Sequence, residues 1–219
     1  MKIYPSLISA DLLNLEKVLK NLDDRCDGYH IDVMDDHFVP NLTWGPAFAD
    51  AILKASNLPI HLHLMVDNPE KWVGRVNLKK DDTFVFHHEV YRDVLKIKDL
   101  IFKIKSSNCK VGVAINPETN VEEVFPYLPD LDHILIMSVK PGFSGQKFIP
   151  DVVKKVEPLI DKRKNEGFNF TVGIDGGIGA SNIKIVAAAG FDEVGIASAI
   201  FSQPDYLKAL ADLYKKSEL

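Results

Sequence analysis

The stretch "HIDVMDD", residues 30–36, places His30, Asp32 and Met34 at alternate positions of a run otherwise built from Ile31 and Val33. β-Branched residues favour strands, and strand side chains alternate between two faces. His30, Asp32 and Met34 therefore share one face, and Ile31 and Val33 the other. "PIHLHLMV" (59–66) divides the same way, with His61, His63 and Met65 against Leu62 and Leu64. "FTVGIDG" (170–176) brings Asp175 to the end of a third run. A single inward histidine is ordinarily a hydrogen-bonded core residue. Two histidines and two aspartates at three strand ends read differently, because each buried charge is costly unless paired or metal-bound. Imidazole with carboxylate suits one divalent ion, Zn²⁺ or Fe²⁺ rather than Ca²⁺.

Other residues would complete such a site. Met34, Met65 and Met137 fall at comparable depths beside these polar groups and suit the lining of a substrate pocket. "TFVFHHE" (83–89) ends on His87, His88 and Glu89, and parity turns one of the two histidines inward. "VKPGFSGQKF" (139–148), the "DGG" at 175–177 and the "ASA" at 197–199 follow three consecutive strand candidates. Small residues let backbone N–H groups approach an anion closely, so these loops suit a phosphate.

The elements that must position these groups are legible along the chain. Eight apolar, β-rich runs occur, at 2–8, 28–35, 59–66, 83–89, 110–116, 133–139, 170–176 and 192–198. Most are apolar on both parities, the mark of strands buried on both faces. Helical stripes lie between them: Leu15, Val18, Leu19 and Leu22; Ile97, Leu100, Ile101 and Ile104; and Leu207, Leu210, Ala211 and Tyr214. Pro69, Pro150 and Pro204 stand where helices would begin, and Gly167 and Gly190 where they would stop. Eight strands alternating with helices predict a single α/β domain over 1–219, a (β/α)₈ TIM barrel. An open doubly wound sheet would favour a glycine-rich turn after the first strand, and "PSLISADLL" has no glycine.

Composition narrows the function classes. The chain has 219 residues, 46% of them hydrophobic and 26% charged, with net charge −5. That balance opposes a general nucleic-acid partner, whose phosphates need a basic surface. No segment approaches the roughly 20 apolar residues of a membrane span, and "MKIYPSLISADLL" has no apolar run of signal-peptide length. Cys26 and Cys109 carry no CxxC spacing and read as reduced thiols. A soluble, cytoplasmic protein is expected.

The blocks "PSLISADLLNL", "YHIDVMDDHFVPNLTWGP", "HLHLMVDNPE", "FHHE", "VGVAINPET", "MSVKPGFSGQKF" and "IDGGI" together resemble the ribulose-phosphate 3-epimerase family, in the family's order and over nearly the whole chain. The resemblance implies a TIM barrel of the ribulose-phosphate-binding type that interconverts D-ribulose 5-phosphate and D-xylulose 5-phosphate. It implies one divalent metal held by His30, Asp32, His63 and Asp175, with Asp32 and Asp175 also serving as acid–base catalysts. It places Ser6, His63 and the three methionines against substrate, and Gly142, Phe143, Ser144, Gly145, Gly176, Gly177, Ala197 and Ser198 around a small phosphorylated ketose. It further implies a homo-oligomer, dimer or hexamer. Three positions depart from the family: Asp36 and Ala197 stand where glycine is usual, and "PGFSGQ" carries Ser144 where "PGFGGQ" is usual. A glycine needing positive φ at 197 would make alanine strained there.

Other readings remain beside this one. An allulose-6-phosphate 3-epimerase would share the site. A phosphosugar lyase would share the barrel, but the related orotidine-type decarboxylase needs a lysine in its strand-end block and "HIDVMDD" has none. A binding protein without activity would not need all four of His30, Asp32, His63 and Asp175.

Overall fold

The computed structural model describes residues 1–218. Among them eight strands form one sheet: β1 Lys2–Pro5, β2 Tyr29–Met34, β3 Ile60–Met65, β4 Thr83–His87, β5 Lys110–Ile115, β6 His133–Met137, β7 Thr171–Asp175 and β8 Glu193–Ile196. All pairings are parallel, running in chain order from β2 to β8, with β1 beside β8. The remaining seam, between β1 and β2, holds one parallel bridge, from Ser6 to His30. A nearly closed barrel results, as the alternation predicts, each strand shorter than its apolar run. β1 stops at Pro5 because Leu7–Ser9 winds into a 3₁₀ turn.

Seven α-helices are described around it: α1 Leu15–Leu22, α2 Pro46–Ala55, α3 Val94–Lys105, α4 Val156–Glu166, α5 Ile183–Ala189, α6 Ser198–Phe201 and α7 Tyr206–Ser217. Gly167 and Gly190 end α4 and α5 in the left-handed conformation, at φ +71° and +98°. The prolines depart from expectation. Pro69 opens only a 3₁₀ turn, Pro69–Trp72, because Gly74 at φ +75° turns the chain away. Pro150 opens the 3₁₀ segment Pro150–Lys155 that runs into α4. Pro204 stays outside α7, whose cap is Asp205, accepting from the Lys208 N–H at 2.9 Å. On α7 the buried stripe is Leu210, Leu213 and Ser217, and Ala211 is exposed, so the expected stripe is rotated.

Parity sorts the sheet as expected. Ile31, Val33, Leu62, Leu64, Val111, Val113, Ile134 and Ile136 point outward, into one large apolar layer shared with Ile97, Leu100, Ile101 and Ile104 of α3. The barrel interior has a much smaller apolar cluster, Val85, Ala114, Leu135 and Met137. Met34 and Met65 lie at its mouth and Tyr4 near its base, and much of the remaining filling is polar: His30, Asp32, His61, His63, His87, His133 and Glu193 are all buried. No helix among the described residues is long and apolar enough to cross a membrane. Stability therefore resides in the outer layer and chemistry in the inner one. Ile31→Ala, at a fully buried outward position, is expected to cost about 2–5 kcal/mol in urea unfolding while leaving divalent-cation affinity within about twofold.

Candidate active site and metal centre

Strand register builds the site. β2 and β3 align His30 with His61, Asp32 with His63 and Met34 with Met65. β6 and β7 align Met137 with Asp175, and β8 brings Gly195 beside Asp175. Four predicted ligands thereby converge. His30 Nε2 lies 3.1 Å from His63 Nδ1 and 3.3 Å from Asp32 Oδ1, and His63 Nδ1 lies 3.0 Å from Asp32 Oδ1. Asp175 Oδ2 approaches His30 Nε2 from the far side at 3.9 Å. A tetrahedral ion with bonds near 2.0–2.1 Å holds its donors about 3.3–3.4 Å apart. The two nitrogens and the Asp32 oxygen nearly match that triangle, with Asp175 slightly outside it. His30 Nδ1 is buried without a hydrogen-bond partner. The four residues fit a divalent cation.

A second row of residues orients His63. His87 turns inward from the end of β4, and its Nε2 lies 2.8 Å from His63 Nε2. The other His87 nitrogen lies 3.2 Å from Glu89 Oε2. In the cation-free protein His63 Nδ1–H faces Asp32 Oδ1 at 3.0 Å. With a cation held at the cluster, the proton would sit on Nε2 and be donated to His87 Nε2, His87 in turn donating through Nδ1–H to Glu89, which would leave His63 Nδ1 free as a ligand. Burial works against the Glu89 charge, but His87, the Asn116 N–H and the Thr119 hydroxyl outweigh it and hold the pKa at about 2. His88 instead faces away, toward Tyr127 and Glu123. The sequence left open which histidine of "HHE" points inward; the end of β4 at His87 decides it.

The two aspartates differ in charge state. Burial raises both, but around Asp32 the charge of His30 and hydrogen bonds from His30 and His63 prevail and hold its carboxyl well below the usual range. Ser6 Oγ also donates to Asp32 Oδ2 at 2.5 Å. Asp175 has fewer partners; burial and the neighbouring Asp32 charge push it up to about 7, against the pull of His30. His30 is raised to about 9, because Asp32 and Asp175 outweigh the burial that disfavours its charge. Two carboxyls of unequal proton affinity thus face a common space.

Above them a cleft of ≈ 500 Å³ opens at the C-terminal ends of the strands. Ser6, Asp32, Met34, Met65, Met137, Gly142, Phe143, Ser144, Gly145, Asp175, Gly176, Gly177, Ala197 and Ser198 line it, so nearly every predicted substrate contact is brought to one wall or another. His63 is the exception: it is fully buried beneath the floor and reaches the cleft only through its neighbours. Ile8, Val139, Pro141, Ile178 and Gly195 also line the cleft and were not singled out in the sequence. Gly195 has a specific reason to be glycine. A Cβ there would meet Asp175 Oδ1 at 2.7 Å. A glycine inside a strand is the signal that marks such a close approach. Gly177 lies against the 139–148 loop, where a Cβ would meet the Phe148 nitrogen at 2.7 Å. That loop is further held by Asn41 Nδ2 donating to the Gly142 carbonyl at 2.7 Å and by Gln146 Nε2 donating to the Lys140 and Phe143 carbonyls.

Comparison with known proteins agrees with this geometry. Residues 2–201 match the ribulose-phosphate 3 epimerase family. The chain belongs to that family. It is 38% identical to the ribulose-phosphate 3-epimerase of Escherichia coli K12, over 99% of this chain and 95% of that one. It is 36% identical to the ribulose-phosphate 3-epimerase of Methanocaldococcus jannaschii, over 97% and 89%. Its fold is shared with a 3-hexulose-6-phosphate synthase, TM-score 0.67 at 14% identity over 99% of both chains. It is shared also with KGPDC from Streptococcus mutans in complex with D-R5P, TM-score 0.73 at 11% identity over 99% and 96%. As a member of an epimerase family, the chain is an enzyme.

The departures from the family pattern now have geometry. Asp36 is exposed and sits at φ +59°, a left-handed position where the usual glycine meets no penalty and aspartate is among the best-tolerated replacements. Ala197 sits at φ −104°, so no left-handed strain attaches to alanine there. Ser144 is exposed, its hydroxyl 3.1 Å from that of Ser9.

Near pH 6 both His30 and Asp175 carry a proton in the cation-free protein, and both must lose it to act as ligands. Zn²⁺ uptake is therefore expected to release roughly one to two protons per ion and to tighten as pH rises from 5 to about 8, measured by calorimetry in buffers of differing ionisation enthalpy. Gly195→Ala should displace Asp175 and weaken Zn²⁺ binding about 10- to 100-fold, with an unchanged circular dichroism spectrum.

Proposed function

We propose that this enzyme interconverts D-ribulose 5-phosphate and D-xylulose 5-phosphate by epimerisation at C3. The observation that carries the reading is that Asp32 and Asp175, at the ends of β2 and β7, face one cleft. Inverting a stereocentre needs a base on one face of the carbon and an acid on the other. Asp32 removes the C3 proton of one epimer, and Asp175 returns a proton to the opposite face; in the reverse direction the roles exchange. The proton lost lies α to a ketone, and the enediolate left behind carries charge on the C2 and C3 oxygens. His30, Asp32, His63 and Asp175 would hold a divalent ion, Zn²⁺ or Fe²⁺, which would supply Lewis-acid stabilisation of that charge. The hydroxyl of Ser6 keeps Asp32 oriented. Met34, Met65 and Met137 cover the planar intermediate with surface that offers no strong proton donor.

The substrate's phosphate is assigned to the wall formed by Gly142, Phe143, Ser144, Gly145, Gly176, Gly177, Ala197 and Ser198. Gly142, Gly145, Gly176 and Gly177 all have positive φ, at +124°, +75°, +110° and +63°. That conformation, closed to most side chains, turns successive N–H groups toward a common concavity. Phosphate sites of such barrels use the loops after the last strands. The family extends the reading to a cytoplasmic homo-oligomer, with 1–219 folding as one domain.

Deuterium exchange in D₂O, run separately with pentulose and hexulose phosphates, tests reaction and substrate together. Label is expected at C3 of ribulose 5-phosphate as xylulose 5-phosphate forms, with the hexulose phosphate far slower. The opposite preference assigns the enzyme to hexuloses, and label at neither C3 overturns the reading. Asp32→Asn and Asp175→Asn should each lower kcat by about 10²–10⁴-fold or more with the fold intact by circular dichroism. A near-wild-type rate in either variant rules out two-base transfer. Chelated protein, verified metal-free, is expected to be inactive and to recover with Zn²⁺ or Fe²⁺.

A further inference from the structure

A second group of ligating side chains lies at the opposite end of the barrel. His61 on β3, His133 on β6 and Glu193 on β8 are all buried and point inward, with one ligating atom from each lying within 4.8 Å of the others. Glu193 Oε2 is 3.3 Å from His61 Nε2 and 3.5 Å from His133 Nδ1, yet makes no hydrogen bond to either. Those separations match the donor spacing of about 3.3–3.4 Å around a tetrahedral ion with bonds near 2.0–2.1 Å. Buried carboxylate oxygens and imidazoles ordinarily find partners, so an orphaned Glu193 Oε2 needs a reason. The other ring nitrogen of His133, Nε2, is orphaned as well.

The surrounding chain makes room for this arrangement. A Cβ at Gly173 would meet the His133 ring at 2.7 Å, and one at Gly112 would meet it at 3.3 Å, so glycines on both neighbouring strands accommodate the imidazole. Tyr4 stacks on His61 with ring centroids 4.0 Å apart and fixes its plane. Lys2 engages the other carboxylate oxygen, Oε1, at 3.8 Å and leaves Oε2 free. Thr171 Oγ1 is 2.8 Å from His133 Nδ1 and has an alternative acceptor in the Asp132 carbonyl at 3.5 Å. An open depression at the N-terminal ends of the strands reaches His61 and Glu193, providing an entry path and a fourth, solvent-side position.

We propose that His61 Nε2, His133 Nδ1 and Glu193 Oε2 form a second divalent-metal site, of Zn²⁺ type, at the N-terminal mouth of the barrel. β3, β6 and β8 are not neighbours in the sheet, so a bound ion cross-links the barrel across its interior. The site is separate from the cluster at the C-terminal end and does not depend on the reaction assigned there.

The test is metal stoichiometry of the full chain, stripped by chelator and titrated with Zn²⁺ against a chromophoric competitor. Glu193→Gln and His133→Gln are each expected to bind one fewer equivalent than the wild type, and Asp175→Asn independently reports the other cluster. Glu193→Gln and His133→Gln retaining the full wild-type count overturns the proposal. Anomalous scattering from Zn²⁺-soaked wild-type crystals decides the matter without a variant. A peak about 2.0–2.2 Å from the three named atoms supports the site, and a peak confined to the His30 cluster overturns it.

Discussion

The arrangement at the cleft end of the barrel depends on keeping Asp32 ionised where most water is excluded. A buried carboxylate is expensive unless compensated by charge and by hydrogen bonds to its ionised form. Here His30 supplies the opposite charge, and His63 and Ser6 direct hydrogen bonds at its two oxygens. Asp175 is given less, and burial with the Asp32 charge pushes it up to about 7. The inequality of the two environments separates an acid from a base, although both groups are aspartates on strands of one sheet.

Ser6 connects that compensation to the architecture. The β1–β2 seam is the one place where the barrel has a single bridge instead of a ladder, and the bridge joins Ser6 to His30. The end of β2 is further clamped by Thr43, whose hydroxyl donates to the Asp32 carbonyl at 2.8 Å and accepts from the Met34 N–H at 2.9 Å. Asp35 holds the loop beyond, accepting from the N–H groups of His37, Phe38 and Asp67. The acidic surplus of "HIDVMDD" thus separates into a buried carboxylate of the His30 cluster, a loop organiser and one exposed residue in a left-handed turn.

An interior this polar is affordable because the apolar burial lies elsewhere. The layer between strands and helices holds nearly all of the large buried aliphatic residues, and the barrel lumen holds one cluster of four and a second, Met34, Val39 and Met65, at its mouth. Histidine rings pack one against the next through the lumen, from His133 and His61 through His30 and His63 to His87. Carboxylates stand along the same path, with Glu193 at one end and Glu89 at the other. The interior is therefore an ionic assembly enclosed in an apolar shell.

The sequence by itself determined the eight strands, the parity of each and hence which side chains face the lumen, because the two-residue period of a strand is local. It also singled out His30, Asp32, His63 and Asp175, the residues that meet at the cleft, through polar positions alternating with β-branched ones and through resemblance to the family's motifs. Only the tertiary structure decided what depends on strand stagger and ring closure. Which histidine of "HHE" turns inward, the reach of Glu89 to His63 through His87, and the glycine at 195 that admits Asp175 all involve groups on different strands. So does the meeting of His61, His133 and Glu193, which stand up to 132 residues apart in "PIHLHLMV", "HILIMSV" and "DEVGIAS". In the linear chain each of these reads as an isolated polar residue in an apolar run. A closed barrel sets the distance between non-adjacent strands by its shear and radius, and no local pattern encodes those.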